Sequence, residues 1–247
     1  MVTEKFHDKS FALATHYSFY STMYTLYHQP LCPFSRKIRF FLAEKNISFE
    51  LIKENFWERR KEFIAINTAG TVPVLFDKTN HHTICGSSVI VEYIEEKHSD
   101  SHNYIGDSSI QRAEARRIQL WFDEKFYNEV SKHILRERFF NRFMPNSFDA
   151  NPEHFRLARY NLNIHLNYTE FLLENRKYLA GERISIADLA AAGQLSSLDY
   201  FGDINWHNRD LLKEWYFVIK SQKGFGEILK DRIAGNNPAE QYSKLDF

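Results

Sequence analysis

A chain of 247 residues has room for one large domain or two small ones. Its 32 Lys and Arg are balanced by 32 Asp and Glu, which excludes a nucleic-acid binder that relies on global positive charge. At 43% hydrophobic and 26% charged it is too apolar for disorder, and nine Gly with six Pro exclude collagen-like and low-complexity architectures.

No apolar run reaches the roughly 18 residues of a membrane span. Two cysteines make no disulfide framework, so a reducing, cytoplasmic setting is expected. Met1 to Ser21 lacks the apolar core and small-residue cleavage site of a secretory signal, and Glu4 and Asp8 weigh against an amphipathic presequence. Residues 1–22 read as a disordered extension, with Met23 directly before the first convincing strand.

That strand is Tyr24-Thr-Leu-Tyr27. Phe34, Ile38, Phe41 and Leu42 then line one face of a helix, with Pro33 in its first turn and Cys32 at or just before its N-cap. Ile47, Phe49 and Leu51 alternate as in a second strand, and Trp57 to Glu62 predicts a short helix stopping near Asn67–Gly70. Thr71–Phe76 and Thr83–Cys85 flank a turn and read as a hairpin, after which Gly86-Ser87-Ser88 opens another helix. This β-α-β-α-β-β-α order predicts a thioredoxin-like α/β domain over residues 23–97.

Residues 98–107 read as a linker, and beyond them the strand signal fades. Ile118, Phe122, Phe126, Val130 and Ile134 recur at four-residue steps in a long helix, followed by a break at Pro145-Asn146-Ser147 and Asn151-Pro152. Leu162, Leu166 and Leu173 mark a second long helix. Ser185-Ile-Ala-Asp188 is a capping box with Asp in place of Glu, and it opens a helix rich in small residues (Ala187, Ala190, Ala191, Ala192, Gly193) suited to close approach. A final helix pair closes an all-helical domain over 108–232, leaving a tail at 233–247. The fold class is therefore α/β plus all-α.

Cys32 is the sharpest chemical feature. A cysteine at a helix start faces unpaired N–H groups and the positive end of the helix dipole, which favour thiolate, and Arg36 and Lys37 one turn on would add to the effect. Ser35 stands at the resolving position of a C-x-x-C motif, so a dithiol cycle there is unavailable, although a mixed disulfide is open. The bland alternative is a small hydrophobe beneath the helix. Val72-Pro73 is either a trans edge proline or a cis bond that turns the Val72 backbone outward to pair with an extended peptide. Ser87 is either a plain helix cap or a carboxylate site.

In this order, Cys32-Pro-Phe-Ser35, Thr71-Val-Pro-Val74, Gly86-Ser87 and Ser185-Ile-Ala-Asp188 resemble the glutathione S-transferase superfamily over about residues 23–232. The resemblance implies a thioredoxin-like domain joined to a helical bundle, a homodimer, and glutathione as co-substrate. It implies a cis Pro73, Val72 on the cysteinyl backbone, Ser87 on the γ-glutamyl carboxylate, and Cys32 as the catalytic group of the cysteine-type branches. Tyr27 and Ser35 would lie near the sulfur, and Asp188 would be a buried folding cap. Gly86 departs from the pattern, since an acid usually precedes the Ser and binds the ligand's amino end. Leu31–Lys37, Trp121–Tyr127, Leu198–Trp206 and the terminal Leu-Asp-Phe247 resemble more closely an alphaproteobacterial subgroup that includes a protein binding FtsZ filaments in cell division. That match implies a non-catalytic dimeric scaffold as the alternative role.

Arg136-Glu-Arg-Phe-Phe-Asn-Arg142 mixes bases with aromatics, but it reads as a solvated helix end or protein contact rather than a nucleic-acid surface. His81-His82 lacks third and fourth ligands at useful spacing and reads as a turn, so no metal is expected. Phosphate-loop and nucleophile-elbow motifs are missing from the sequence.

Overall fold

The computed structural model describes residues 23–144 and 152–245. The extension 1–22, the break at Pro145–Asn151 and the last two residues of the tail lie outside the described residues.

Strand β1 (Tyr24–His28) leads into helix α1 (Pro33–Glu44), strand β2 (Phe49–Lys53), helix α2 (Lys61–Ile66), strands β3 (Val74–Asp77) and β4 (His82–Cys85), and helix α3 (Ser87–Lys97). The sheet order is β2-β1-β3-β4, with β1 parallel to β2 and antiparallel to β3, and β3 antiparallel to β4. Alternation along the strands decides the packing. Leu26, Leu75 and Ile84 enter the main core, whereas Val74 turns to a smaller cluster with Phe63, Val72 and Cys32. The single helix expected at Trp57–Glu62 is two pieces, a 3₁₀ turn at Phe56–Glu58 and α2, because Arg59 between them has a left-handed backbone at φ 48°.

The helical domain begins with α4 (Ser109–Leu120), whose N-cap Ser108 and Gln111 form a reciprocal capping box. The long helix predicted through Ile134 is present, but Trp121–Ser131 is π-wound before it resumes as α5 (Lys132–Arg138). The cause is visible in the sequence. In an α-helix a row of apolar residues every fourth position drifts about 40° per step and leaves the core within a few turns. The wider winding cancels that drift, and Ile118, Phe122, Phe126, Val130 and Ile134 are all fully buried. Helices α6 (Pro152–Leu173), α7 (Ile186–Asp199), α8 (Asp210–Ser221) and α9 (Lys223–Leu229) complete the bundle.

The stretch after α9 returns to the helical core. Tyr242 is buried and donates to the Ile228 carbonyl (3.0 Å), and the Lys220 ammonium donates to the carbonyls of Gln241 (3.0 Å) and Lys244 (2.9 Å). His81 is exposed in the β3–β4 turn, and His82, also exposed, is already the first residue of β4 rather than part of the turn expected for both. In the basic–aromatic cluster, Phe139 is buried, and Phe139, Phe140 and Phe143 surround Trp57 of the first domain. The ring contacts with Trp57 make this cluster a domain contact, while Arg138 holds Asp203 within the helical domain through two bonds of 3.0 and 2.7 Å.

Helix α1 is the seam between the domains, packed against α7 and α9. Gly193 permits this closeness, since a Cβ there would stand 2.5 Å from the Pro33 carbonyl oxygen. Arg39 clasps Asp231 through two bonds of 2.7 and 3.0 Å, and buried Lys37 pairs with Asp123 of the π-wound segment.

Candidate functional site

Cys32 is the N-cap residue of α1, with extended backbone (φ −72°, ψ 118°) and Pro33 behind it in the first turn. The chain reaches this position because Gln29 closes a turn: the Cys32 N–H donates to its carbonyl (3.0 Å), and the Leu31 N–H donates to its side-chain oxygen (2.6 Å). The thiol donates to the Val72 carbonyl at 3.8 Å, which brings two expected site residues into contact across 40 positions of chain. The Val72–Pro73 peptide is cis. The Gly86 N–H donates to the Pro73 carbonyl (3.3 Å), tying the start of α3 to the same place. The structure thus brings Cys32 against Val72, and Pro73 against Gly86, the residue before Ser87.

Some donors at this junction remain uncommitted. Gly86, the N-cap of α3, has no side chain to cap that helix, so first-turn N–H groups there lack a protein acceptor, whereas at α1 the Phe34 and Ser35 amides face the Cys32 sulfur. Nothing among the described residues pairs with the Val72 N–H. Open backbone N–H groups at a helix start are the kind of donors that can take a carboxylate.

The thiol itself departs from expectation. Burial pushes its pKa up and outweighs the opposing groups: the Ser35 amide and hydroxyl, the Phe34 amide and the Arg36 charge. The resting form is the thiol, not the thiolate expected from the helix dipole. The two basic residues contribute little, because each is turned away. Lys37 pairs with Asp123, while the Arg36 Nε donates to the Pro30 carbonyl (2.6 Å) and its head lies 3.6 Å from Asp231, flanked by the Tyr200 and Tyr242 rings. Ser35 is fully buried, so it acts on the Cys32 sulfur from inside the protein. Tyr27 packs on Phe63 at the edge of the same cluster.

Gly86 has a left-handed backbone at φ +91°, with nothing within 4 Å of where a Cβ would stand. An acidic side chain would find space there but would strain the backbone. Asp123, linked to Ser88 through Gln119, is committed to Lys37. Asp188 is the expected cap. Buried, it accepts from the amides of Leu179 and Ser185, the Ser185 hydroxyl and the Trp215 indole, all within 3.0 Å.

Sequence reasoning missed one residue of the site. Tyr127, on the π-wound segment, places its ring edge-on to Phe34 with centroids 4.7 Å apart, close enough to Cys32 to feel its charge. Burial first, and the Cys32 charge second, push its hydroxyl up to about 12. The four-residue apolar step was the available signal.

A thioredoxin-like domain carrying a cis proline opposite a helix-capping cysteine, joined through that helix to an all-helical bundle, defines a class, and comparison with known proteins agrees. The family model for the glutathione S-transferase N-terminal domain matches residues 31–97. FtsZ-localized protein A of Caulobacter vibrioides is 42% identical over 226 residues, which cover 90% of this chain and 98% of that protein. A solved structure of FzlA from C. crescentus superposes with a TM-score of 0.86 at 41% identity, covering 91% of this chain and 99% of that one. A structure described as a glutathione S-transferase from Sinorhizobium meliloti gives 0.85 at 38% identity, covering 91% of this chain and all of that one. The chain belongs to the glutathione S-transferase family.

Proposed function

We propose that the junction of α1, the Val72–Pro73 turn and α3 binds glutathione and carries out thiol transfer on Cys32. The observation that supports this is the set of uncommitted donors at Val72 and the start of α3 beside the thiol. The Val72 backbone takes the cysteinyl backbone of the ligand, and Ser87 with the first amides of α3 takes the γ-glutamyl carboxylate. In the reaction, Cys32 gives up its proton to solvent. Its sulfur anion attacks the glutathione sulfur of a mixed disulfide, forming a Cys32–glutathione disulfide and expelling the other sulfur as a thiolate, which takes up a proton. A second glutathione thiolate attacks the glutathione sulfur and leaves as oxidised glutathione, restoring Cys32 as the leaving thiolate. Reduction of a glutathione mixed disulfide by the purified protein, abolished in Cys32→Ser, is the expected result. Turnover equal to buffer in the parent protein would refute the reading.

A second reading rests on the full-length likeness to FtsZ-localized protein A and on Gly86, where the acid of the pattern is missing. In it the chain is a dimeric, cytoplasmic scaffold on FtsZ polymers. Among the described residues no helix is long and apolar enough to cross a membrane. The chain should pellet with FtsZ polymerised by GTP and stay in the supernatant without it, and polymers that sediment alone would end this reading. Deleting Leu245 to Phe247 should spare folding, since the Lys220 anchors to Gln241 and Lys244 remain.

A further inference from the structure

Beyond α9, residues 233–244 run back across the helical domain and are tied down at each step. The Ile233 N–H donates to the Tyr200 hydroxyl (3.0 Å), that hydroxyl donates to the Asn236 carbonyl (2.7 Å), and the Ala239 N–H donates to the Tyr200 carbonyl (2.8 Å). The Lys220 ammonium of α8, buried beside Asp199, then holds the carbonyls of Gln241 and Lys244. Between them Tyr242 is fully buried, its ring edge-on to that of Tyr200 with centroids 5.1 Å apart. These two rings wall in a charge from the other domain. The Arg36 guanidinium of α1 lies 5.6 Å from the Tyr242 centroid and 5.9 Å from that of Tyr200. It is fully buried, and its two terminal nitrogens find no hydrogen-bond acceptor among the described residues. Asp231, 3.6 Å away, is already committed to Arg39 by two bonds. A desolvated cation placed so depends on the aromatic faces beside it. Its Nε meanwhile donates to the Pro30 carbonyl (2.6 Å), in the turn by which Gln29 holds Cys32.

We propose that residues 239–244 form a strap that holds the Cys32 turn closed through Arg36, so that release of the strap makes the Cys32 thiol accessible. The contacts form one unbroken series. The strap carries the Tyr242 ring, the ring supports the Arg36 charge, and Arg36 holds the carbonyl of Pro30, two residues before Cys32. With the strap in place, Arg36 is shut from water and the turn keeps Cys32 buried. With the strap lifted, water reaches the guanidinium. Hydration is worth more to a cation than an aromatic face, so the side chain moves out and gives up the Pro30 carbonyl. The pins suit such a step, because the Lys220 bonds to two carbonyls and one ring contact can break without unwinding a helix. Past the last pin the chain is open, since Leu245 is exposed directly after the Lys244 carbonyl that Lys220 holds. The coupling runs both ways, so a change that removes the Arg36 charge also loosens the strap.

The test uses the full chain and no glutathione. Iodoacetamide alkylation of the Cys32 peptide is followed by mass spectrometry at neutral pH, and hydrogen exchange is followed on the peptide spanning residues 239–244. Tyr242→Leu takes the ring away from Arg36, and Arg36→Met removes the charge while keeping an apolar side chain. Each should speed Cys32 alkylation by about fivefold, the lower end of coupling between sites, and Arg36→Met should also speed exchange of the strap. The double variant should react no faster than the faster single one, because both act through one contact. Leu172→Ala, a loss of core packing on α6, should leave Cys32 at the parent's rate. A Tyr242→Leu variant whose Cys32 reacts at the parent's rate would overturn the proposal. So would single effects that multiply in the double variant, or a Leu172→Ala variant that speeds Cys32 equally. Where Tyr242→Leu does not fold, Arg36→Met decides alone: faster exchange confined to the strap supports the proposal, and exchange at the parent's rate overturns it.

Discussion

Two helix starts in this chain are built on opposite plans. At α7, Ser185 and Asp188 cap each other, and the Asp188 carboxylate also accepts from Leu179 and Trp215, so four donors from three segments converge on one buried acid. At α1, the N-cap is a cysteine that makes no side-chain cap bond, and the neighbouring Val72 N–H and the first-turn N–H groups of α3 are left without protein acceptors among the described residues. A helix start that spends every donor internally holds a domain together, and one that leaves donors beside a sulfur is available to a ligand. Both belong to helices of the same seam, and Gly193 joins them.

Substitutions that erase the difference should follow in order of size. Asp188→Ala strands four donors inside the core and should cost at least about 4 kcal/mol, or roughly 10 °C in melting temperature, by calorimetry. Cys32→Ala should leave the melt within about 1 kcal/mol of the parent, since no cap bond is lost.

Acid should loosen the seam next. Burial above all, and then the Arg39 charge, hold His28 down to about 4. The unfolded chain takes up a proton at His28 near pH 6.5 that the folded chain refuses until about pH 4, so stability is full above this window and falls as pH drops through it, by up to about 3 kcal/mol. His98, His133 and His165 are shifted in the same direction, so His28→Gln should flatten the slope of urea-unfolding stability between these pH values without abolishing it. An unchanged slope in the variant would place the acid sensitivity elsewhere.

Gly193→Ala drives a Cβ into the Pro33 carbonyl and should cost about 1–3 kcal/mol despite the better helix propensity of alanine. Because Pro33 adjoins Cys32, the same variant should alter Cys32 alkylation more than an equally destabilising change in α8. Smallest is Gly86→Glu. It restores the acid of the family pattern at a left-handed position, and it should tighten glutathione several-fold while lowering the melting temperature slightly.

What was legible in the sequence was local. Pro33 behind Cys32, the Val72–Pro73 pair before a strand, and the Ser185–Asp188 box each announce a backbone geometry within a few residues. They made the order of elements legible, and with it the four residues of the proposed site, Cys32, Val72, Pro73 and Ser87. The net state of the thiol was not legible, because it is a contest between helix-start amides and burial, and burial depends on Phe63, Val72 and Val74 folding over the sulfur. Nor was the fate of Arg36 and Lys37, whose partners Asp231 and Asp123 lie 195 and 86 residues away in sequence. The π-winding was written in the five apolar residues at strict four-residue steps, a period too long for an α-helix, and Tyr127 follows from it.

Titration calorimetry with glutathione tests most directly whether the open donors form a site. The parent protein should give a saturable heat at one glutathione per chain, and Ser87→Ala should weaken it without moving the melting temperature. A parent that takes up no glutathione, or a Ser87→Ala variant that binds it as tightly as the parent, would contradict the account.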